Sequence, residues 1–244
     1  MILTSVLDRV QLIRINREQK KNALTVDMYA ALATALEASE GIRCHVILGL
    51  PGIFTAGNDI MDFLQLSSDI AKMEGVRRFL KVLPNCKLPV IAAVDGPAVG
   101  VGTTMLLHCD MVLASNGASF KTPFVDLGLV PEAGSSQLGP QQLGYKRAFE
   151  LLCLGEQWGA EQALQYGLIN KIVQSDKLEE TALDCAATIA SKPREALEIS
   201  RNLLRQNSGD IEHRIEEEGR LFAQRLGSQE AQAAFMKFME RNTS

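Results

Sequence analysis

Hydrophobic and polar positions alternate between two periods along the first two thirds of the chain. Residues 1–16 carry Val6, Val10, Leu12 and Ile15 among polar residues in a loose alternation, the pattern of a strand. A helix is predicted from about Thr25, a side chain suited to an N-cap, with Met28, Leu32 and Leu36 at i, i+4 and i+8. Cys44–Leu50 is a β-branched run closed by Pro51-Gly52 and reads as a buried strand. After the loop Phe54-Thr55-Ala56-Gly57-Asn58-Asp59, helical patterns run through Met61 and Leu64, then through Val76, Phe79, Leu80 and Leu83. Leu88–Val94 is the next strand, with Pro89 at its start, where a missing N–H does least harm. It leads into Asp95-Gly96-Pro97-Ala98-Val99-Gly100-Val101-Gly102, a loop that opens a helix. Met111–Ala114 and Ser119–Lys121 are further short strands.

From Ser135 onward the pattern is helical, interrupted by one strand at Leu168–Val173, with Gly167 placed as a helix C′ residue after Ala160–Tyr166. Past Pro193 there is no strand signal. Apolar stripes there are Leu197/Leu203/Leu204, Ile211/Ile215 and Phe235/Phe238/Met239. Residues 1–190 therefore read as a mixed α/β body and 191–244 as a helical tail. The tail is too thin for its own core, so its apolar faces should bury against the body and against neighbouring subunits.

With 46% hydrophobic and 22% charged residues, the 244-residue chain is neither disordered nor a coiled coil. The longest stretch without Asp, Glu, Lys or Arg, Cys44–Asn58, contains His45 and Pro51 and falls short of the ~20 residues of a membrane span. No membrane segment, signal peptide or C-terminal Ser-Lys-Leu address is expected. A net charge of −4 gives no support for nucleic-acid binding. The five cysteines lack CxxC spacing, which reads as reduced, buried thiols in a cytoplasmic protein.

Gly100-Val101-Gly102-Thr103-Thr104-Met105 fails as a dinucleotide fingerprint: Met105 stands at the third glycine, and Thr122 stands where an acidic residue belongs. Its glycines instead serve close packing, or expose N–H groups at a helix start to an oxyanion. The Asn58 loop offers a second such place, so the two could supply converging donors. His45, His108 and His213 sit in strand, apolar helix and charged tail, and read as structural or solvated. There is no Gly-x-Ser-x-Gly and no metal-ligand spacing, so no metal and no cofactor are expected. Lys20-Lys21 is either a solvated pair or a phosphate contact. Glu132 follows Pro131 at the start of a predicted helix. It either complements the helix dipole or, approached by Leu127, Leu129 and Val130, is a buried base with a raised pKa. No charge partner for it is evident, so Glu132→Gln is expected to change thermal stability little.

In this order, Asn16-Arg17, Lys20-Lys21-Asn22-Ala23-Leu24, the Phe54–Asp59 loop, Asp95–Gly102, Phe120-Lys121-Thr122-Pro123-Phe124 and Leu127–Glu132 resemble the crotonase (enoyl-CoA hydratase/isomerase) superfamily over nearly the whole chain. The resemblance implies a crotonase spiral of ββα units, a C-terminal helical region that builds a homotrimer or a dimer of trimers, and an acyl-CoA thioester as ligand. It implies oxyanion donors at the Asn58 and Val101 amides. It also implies substrate or CoA contacts at Lys20, Lys21, Ala23, Ala56, Asp59, Ile60, Gly100, Phe124, Phe235 and Lys237. Hydratases of the family carry two glutamates where this chain has Thr104 and Phe124, which argues against efficient hydration. Pro131-Glu132 is instead similar to the single catalytic Glu of the peroxisomal-type Δ3,Δ2-enoyl-CoA isomerases. The alternatives are a hydratase-like enzyme pairing Glu132 with Asp62 or Asp126, and a non-catalytic acyl-CoA-binding or scaffold protein.

Overall fold

The computed structural model describes residues 1–62, 73–205 and 210–243. The helical pattern at Leu64 lies outside the described residues. The chain opens as a hairpin rather than a single strand. Strands β1 (Ile2–Leu7) and β2 (Val10–Ile15) pair antiparallel across Asp8-Arg9, whose φ values are 44° and 69°. Positive φ at both turn residues matches the twist of the strands. Without a glycine or asparagine to mark it, the turn leaves no signal in the sequence.

Helix α1 (Val26–Glu37) begins where expected, with the Thr25 side chain accepting from Met28 N. There follow β3 (Cys44–Leu48), α2 (Glu74–Val82), β4 (Val90–Val94), β5 (Pro97–Val99) and the short α3 (Val101–Thr104), which continues as a 3₁₀ turn to His108. Then come β6 (Met111–Ser115), β7 (Ser119–Lys121), α4 (Ser135–Leu143), α5 (Tyr145–Leu152), β8 (Trp158–Gly159), α6 (Ala160–Tyr166) and β9 (Lys171–Val173). Helices α7 (Leu178–Ser191), α8 (Arg194–Arg205), α9 (Ile211–Leu226) and α10 (Gln229–Thr243) complete the described chain. The strand expected from Leu168 starts only at Lys171, because Leu168 N and Ile169 N donate back to Ala163 O and close α6. The two-residue β8, antiparallel to β7, has no counterpart in the sequence pattern. No helix among the described residues is long and apolar enough to cross a membrane.

The wide sheet has the order β1-β2-β3-β4-β6-β9 and is parallel from β2 onward. A narrower layer, β5-β7-β8, is extended by the bridges Thr55↔Ala98 and Leu24↔Asn58. Successive turns of the chain lay a strand in the wide sheet, a short segment in the narrow layer and then a helix, which is the expected ββα spiral. Both faces of the wide sheet are covered. Leu178, Ala182, Ala186 and Ala190 of α7 pack on Val46, Ile91 and Leu113; the main core holds Ile13, Leu32, Ile47, Phe79 and Ala92 on the other face. Burial on both faces is why β3 and β4 read as continuous apolar runs.

The tail docks only partly as its stripes predict. Phe222 and Leu226 of α9 and Ala231 and Phe235 of α10 join the main core, while Phe238 and Met239 are exposed. On α8, Leu203 and Leu204 face outward, Leu197 is half-buried, and the buried residue is Arg201. Its Nε donates to Asp110 Oδ1 at 2.8 Å and its Nη1 to Cys86 O at 2.7 Å; Arg205 donates to His108 O at 2.6 Å. The surface beneath α8 presents carbonyls and a carboxylate, which a guanidinium satisfies and a leucine leaves unpaired. The five cysteines are free. Cys44 and Cys86 are buried, but Cys109, Cys153 and Cys185 are only partly so.

Candidate active site

Asn22 stitches the first loop to the second. Its buried side chain accepts from Arg17 N at 2.7 Å and donates to Ile53 O and Phe54 O at 3.0 and 3.1 Å. Leu24 N donates to Gly57 O at 2.7 Å and Asp59 N to Leu24 O at 2.9 Å. In a parallel bridge of this kind the intervening residue, Asn58, turns its own N–H away from Leu24. Thr55 pairs in turn with the third loop, its N donating to Pro97 O and its O accepting from Val99 N, both at 3.0 Å. The loops touch so closely that a Cβ on Gly57 would lie 2.7 Å from Val99 O, and one on Gly102 2.4 Å from Thr55 Cγ2. Gly100 closes the third loop at φ 56°, and its O accepts the amides of Thr103 and Thr104. The Val101 and Gly102 amides belong to the first turn of α3, where no acceptor exists within the helix. The two loops expected to carry converging donors are thus neighbours.

Glu132 does not begin a helix. Helix α4 starts three residues later, after Ala133 and Gly134, both at positive φ (58° and 69°), so complementation of that helix's first turn does not apply. Glu132 is 7% exposed as a residue, and Thr104 Oγ1 donates to its Oε1 at 2.5 Å. Behind the turn, the buried Glu218 of α9 accepts from Gly134 N at 2.6 Å and Ser136 N at 2.9 Å. Burial pushes the Glu132 carboxyl up to about 8; the Thr104 hydrogen bond opposes the rise and the Glu218 charge adds to it. The raised pKa expected of a buried base is found. Such a group can both take and return a proton near neutral pH.

Glu132 and Asn58 line one cavity of about 730 Å³ together with Tyr29, whose hydroxyl donates to Asn58 Oδ1. Burial, reinforced by the Glu132 charge, holds that hydroxyl's pKa well above its ordinary value. The cavity continues between α2 and α9, past Val76, Leu80, Ile215 and Phe222, to charged residues such as Arg77, Lys81 and Arg220. Tyr29 and Glu218 escape the sequence reading. Glu218 hides in the acidic run Glu216-Glu217-Glu218, yet it stands three residues after Ile215 and four before Phe222, on the apolar stripe. That placement was its available signal.

The other expected positions disperse. Val101 is fully buried and does not line the cavity. Ala23 O accepts from Arg17, Ala56 N donates to Lys21 O, and Ile60 and Gly100 are half-buried. Asp59 pairs with Arg17 at 2.8 Å; burial works to raise its pKa, but the Arg17 hydrogen bond and charge, with two backbone amides, hold it below the ordinary value. Phe124 and Phe235 lie in the main core, and Lys20, Lys21 and Lys237 are exposed, none of them on the cavity. Asp62 accepts from Val26 N at 2.9 Å and Asp126 is exposed; neither lines the cavity, so the pairing of Glu132 with one of them is not found. The carboxylate that does act on Glu132 is Glu218. His108 Nε2 meets Ala133 O at 2.6 Å, and burial lowers its pKa to about 4, as it does for His45 inside β3. His213 is exposed.

A buried carboxyl of raised pKa, sharing a largely apolar cavity with Asn58, is a group suited to acid–base chemistry on an α/β spiral. The profile of the family described as enoyl-CoA hydratase/isomerase matches residues 7–244. The chain belongs to that family. It is 32% identical over 237 residues to enoyl-CoA delta isomerase 2 of Rattus norvegicus, an alignment covering 94% of this chain and 61% of that protein. It is 36% identical over 205 residues to 1,2-epoxyphenylacetyl-CoA isomerase of Escherichia coli K12, covering 79% and 77%. The crystal structure of an enoyl-CoA hydratase/isomerase from Pseudoalteromonas atlantica T6c superposes with a TM-score of 0.93 at 39% identity, covering 98% of this chain and 97% of that one. The chain thus spans about three fifths of the rat relative's length and is nearly coextensive with the Pseudoalteromonas protein.

Burial of Glu132 makes stability depend on pH. In the unfolded chain this carboxyl ionises near its ordinary 4.5, whereas the folded protein holds the proton up to about 8. Between those values the folded state binds more protons, so the stability from this group is complete below 4.5 and falls as pH rises toward 8. Glu132→Gln removes the titration. The variant is expected to gain stability relative to wild type as pH rises from about 5 to 8, unlike the near-neutral outcome expected from sequence. Urea midpoints at the two pH values check this; a difference that does not grow with pH contradicts it.

Proposed function

We propose that this protein acts on acyl-CoA thioesters, shifting a 3-enoyl double bond to the 2-position with Glu132 as the single proton carrier. The observation that carries the reading is the Glu132 carboxyl itself: buried, raised to about 8, bonded to a hydroxyl and sharing a cavity with Asn58. The thioester oxygen would accept the backbone N–H groups of Asn58 and Val101. Ionised Glu132 takes a proton from C2, the charge moves to the thioester oxygen as a dienolate, and the same carboxyl returns the proton to C4. The two carbons are ~2.5 Å apart, so one carboxylate reaches both. Donors preorganised on the oxygen stabilise the charge at the moment it forms. Hydration would need a water held and split between two carboxylates. Here Thr104 offers only a hydroxyl, and Glu218 already accepts two amides.

Purified protein given 3-enoyl-CoA is expected to yield 2-enoyl-CoA, and Glu132→Gln to lower kcat by roughly 10²–10⁴-fold. Faster hydration of 2-enoyl-CoA would favour the hydratase reading, and binding without turnover the scaffold.

In the same proposal Lys20, Lys21 and Lys237 hold the CoA phosphates, since a net acidic chain needs a local cluster of positive charge to do so. Charge reversal at Lys20 and Lys21 should raise KM more than it lowers kcat; an unchanged KM at low salt counts against it. A homotrimer or a dimer of trimers is also proposed. Its support is the apolar surface left open on the tail at Ile199, Leu203, Leu204 and Met236. Light scattering that finds only monomer at micromolar concentration contradicts it.

A further inference from the structure

We propose that Glu218 is a positioning residue for Glu132: from α9 its carboxylate clamps the turn 132–136 and holds the base at the cavity wall. This rests on Glu132 being the base.

The turn needs such a clamp. Ala133 and Gly134 are consecutive at positive φ, a conformation that is sterically unfavourable for a non-glycine residue. Glycine suits the second position, at φ 69°, where a Cβ would also have to displace the Ile211 side chain. The polar groups of the turn are held from two sides. Ala133 O meets His108 Nε2 beyond α3, while Gly134 N and Ser136 N both donate to Glu218. With one carboxylate oxygen on each amide, Glu218 is engaged in structure and not in proton transfer to substrate.

Its effect on the base has two parts. Burial raises the Glu218 pKa above its ordinary value, and the Ser136 and Gly134 hydrogen bonds with the Arg214 charge oppose that rise; once ionised, Glu218 opposes ionisation of Glu132 as a like charge. Other titratable groups facing Glu132 or its cavity are Tyr29 of α1, the neutral His108, Glu74, Arg77, Arg78 and Lys81 of α2, and Glu212, Glu216 and Arg220 of α9; Arg214 lies near Glu218. Of these charges, the one that acts on Glu132 through the turn itself is Glu218. Phe222, one helical turn further along α9, walls the cavity, so the helix that shapes the substrate space also sets the base.

Glu218→Gln keeps the volume and one acceptor oxygen but loses the charge. The expected result is a kcat for 3-enoyl-CoA reduced about 10-fold or more with KM changed little, since displacement of a catalytic group of this order costs up to about 10²-fold. The acidic limb of the pH profile should also move down by roughly one unit. Glu218→Asp keeps the charge but is one methylene short, so kcat falls while the limb stays. A lower Tm with unchanged kcat and an unmoved limb in both variants overturns the proposal. The wild-type protein supplies a test that needs neither variant to fold: a carbon-13 carboxyl titration in which the Glu132 and Glu218 signals each respond to ionisation of the other. Independent single-step titrations overturn the clamp. A fully active Glu132→Gln with coupled titrations would instead sink the reading of Glu132 as base and leave the clamp standing.

Discussion

The site depends on keeping one carboxyl out of water with no cation beside it among the described residues. Moving a carboxylate into a protein interior costs several kcal/mol unless a charge partner offsets it. Glu132 has a hydroxyl from Thr104 and a like-charged neighbour in Glu218. The group answers by holding its proton to about 8. An Arg or Lys in contact would have made the carboxyl a permanent anion and a weak base. The absence of such a partner at a buried position makes the residue useful for moving protons.

Backbone geometry supplies the complementary half. Strands β2, β3, β4 and β6 run parallel, so the chain leaves each of them at the same edge of the wide sheet. Residues 22–24, 55–58 and 98–101 then stack as the narrow layer, with Gly57 and Gly102 allowing contact that any side chain would block. Amide positions there are fixed by backbone hydrogen bonds between neighbouring loops and by the buried side chains of Asn22 and Thr55. In the proposed reaction a donor held in this way would need no reorganisation as charge develops on a bound oxygen.

The tail completes the site from the far side of the sequence. Helix α9 walls the cavity through Ile215 and Phe222 and reaches under the Glu132 turn through Glu218. Helix α8 docks differently, by threading Arg201 and Arg205 onto Asp110 and nearby carbonyls. Polar docking on one helix and apolar docking on the next show why hydrophobic stripes alone misjudge a tail that packs on strand ends and loop carbonyls.

Local pattern was enough for α1 with its Thr25 cap, for the buried runs of β3 and β4, and for the Gly167 end of α6, because capping, periodicity and left-handed glycines act within a few residues. The close approach of the Gly57 and Gly102 loops was likewise legible, since contact of that kind requires glycine whatever the surroundings. Other features have no local signature. The Asp8-Arg9 turn is stabilised by strand pairing rather than by its own residue types. Whether Glu132 opened a helix or lay buried, and whether an acidic run on α9 was solvated or clamped a turn, depended on contacts between residues 28, 82 and 84 positions apart in the chain. Burial sets those pKa values, and only the folded chain determines which groups water can no longer reach.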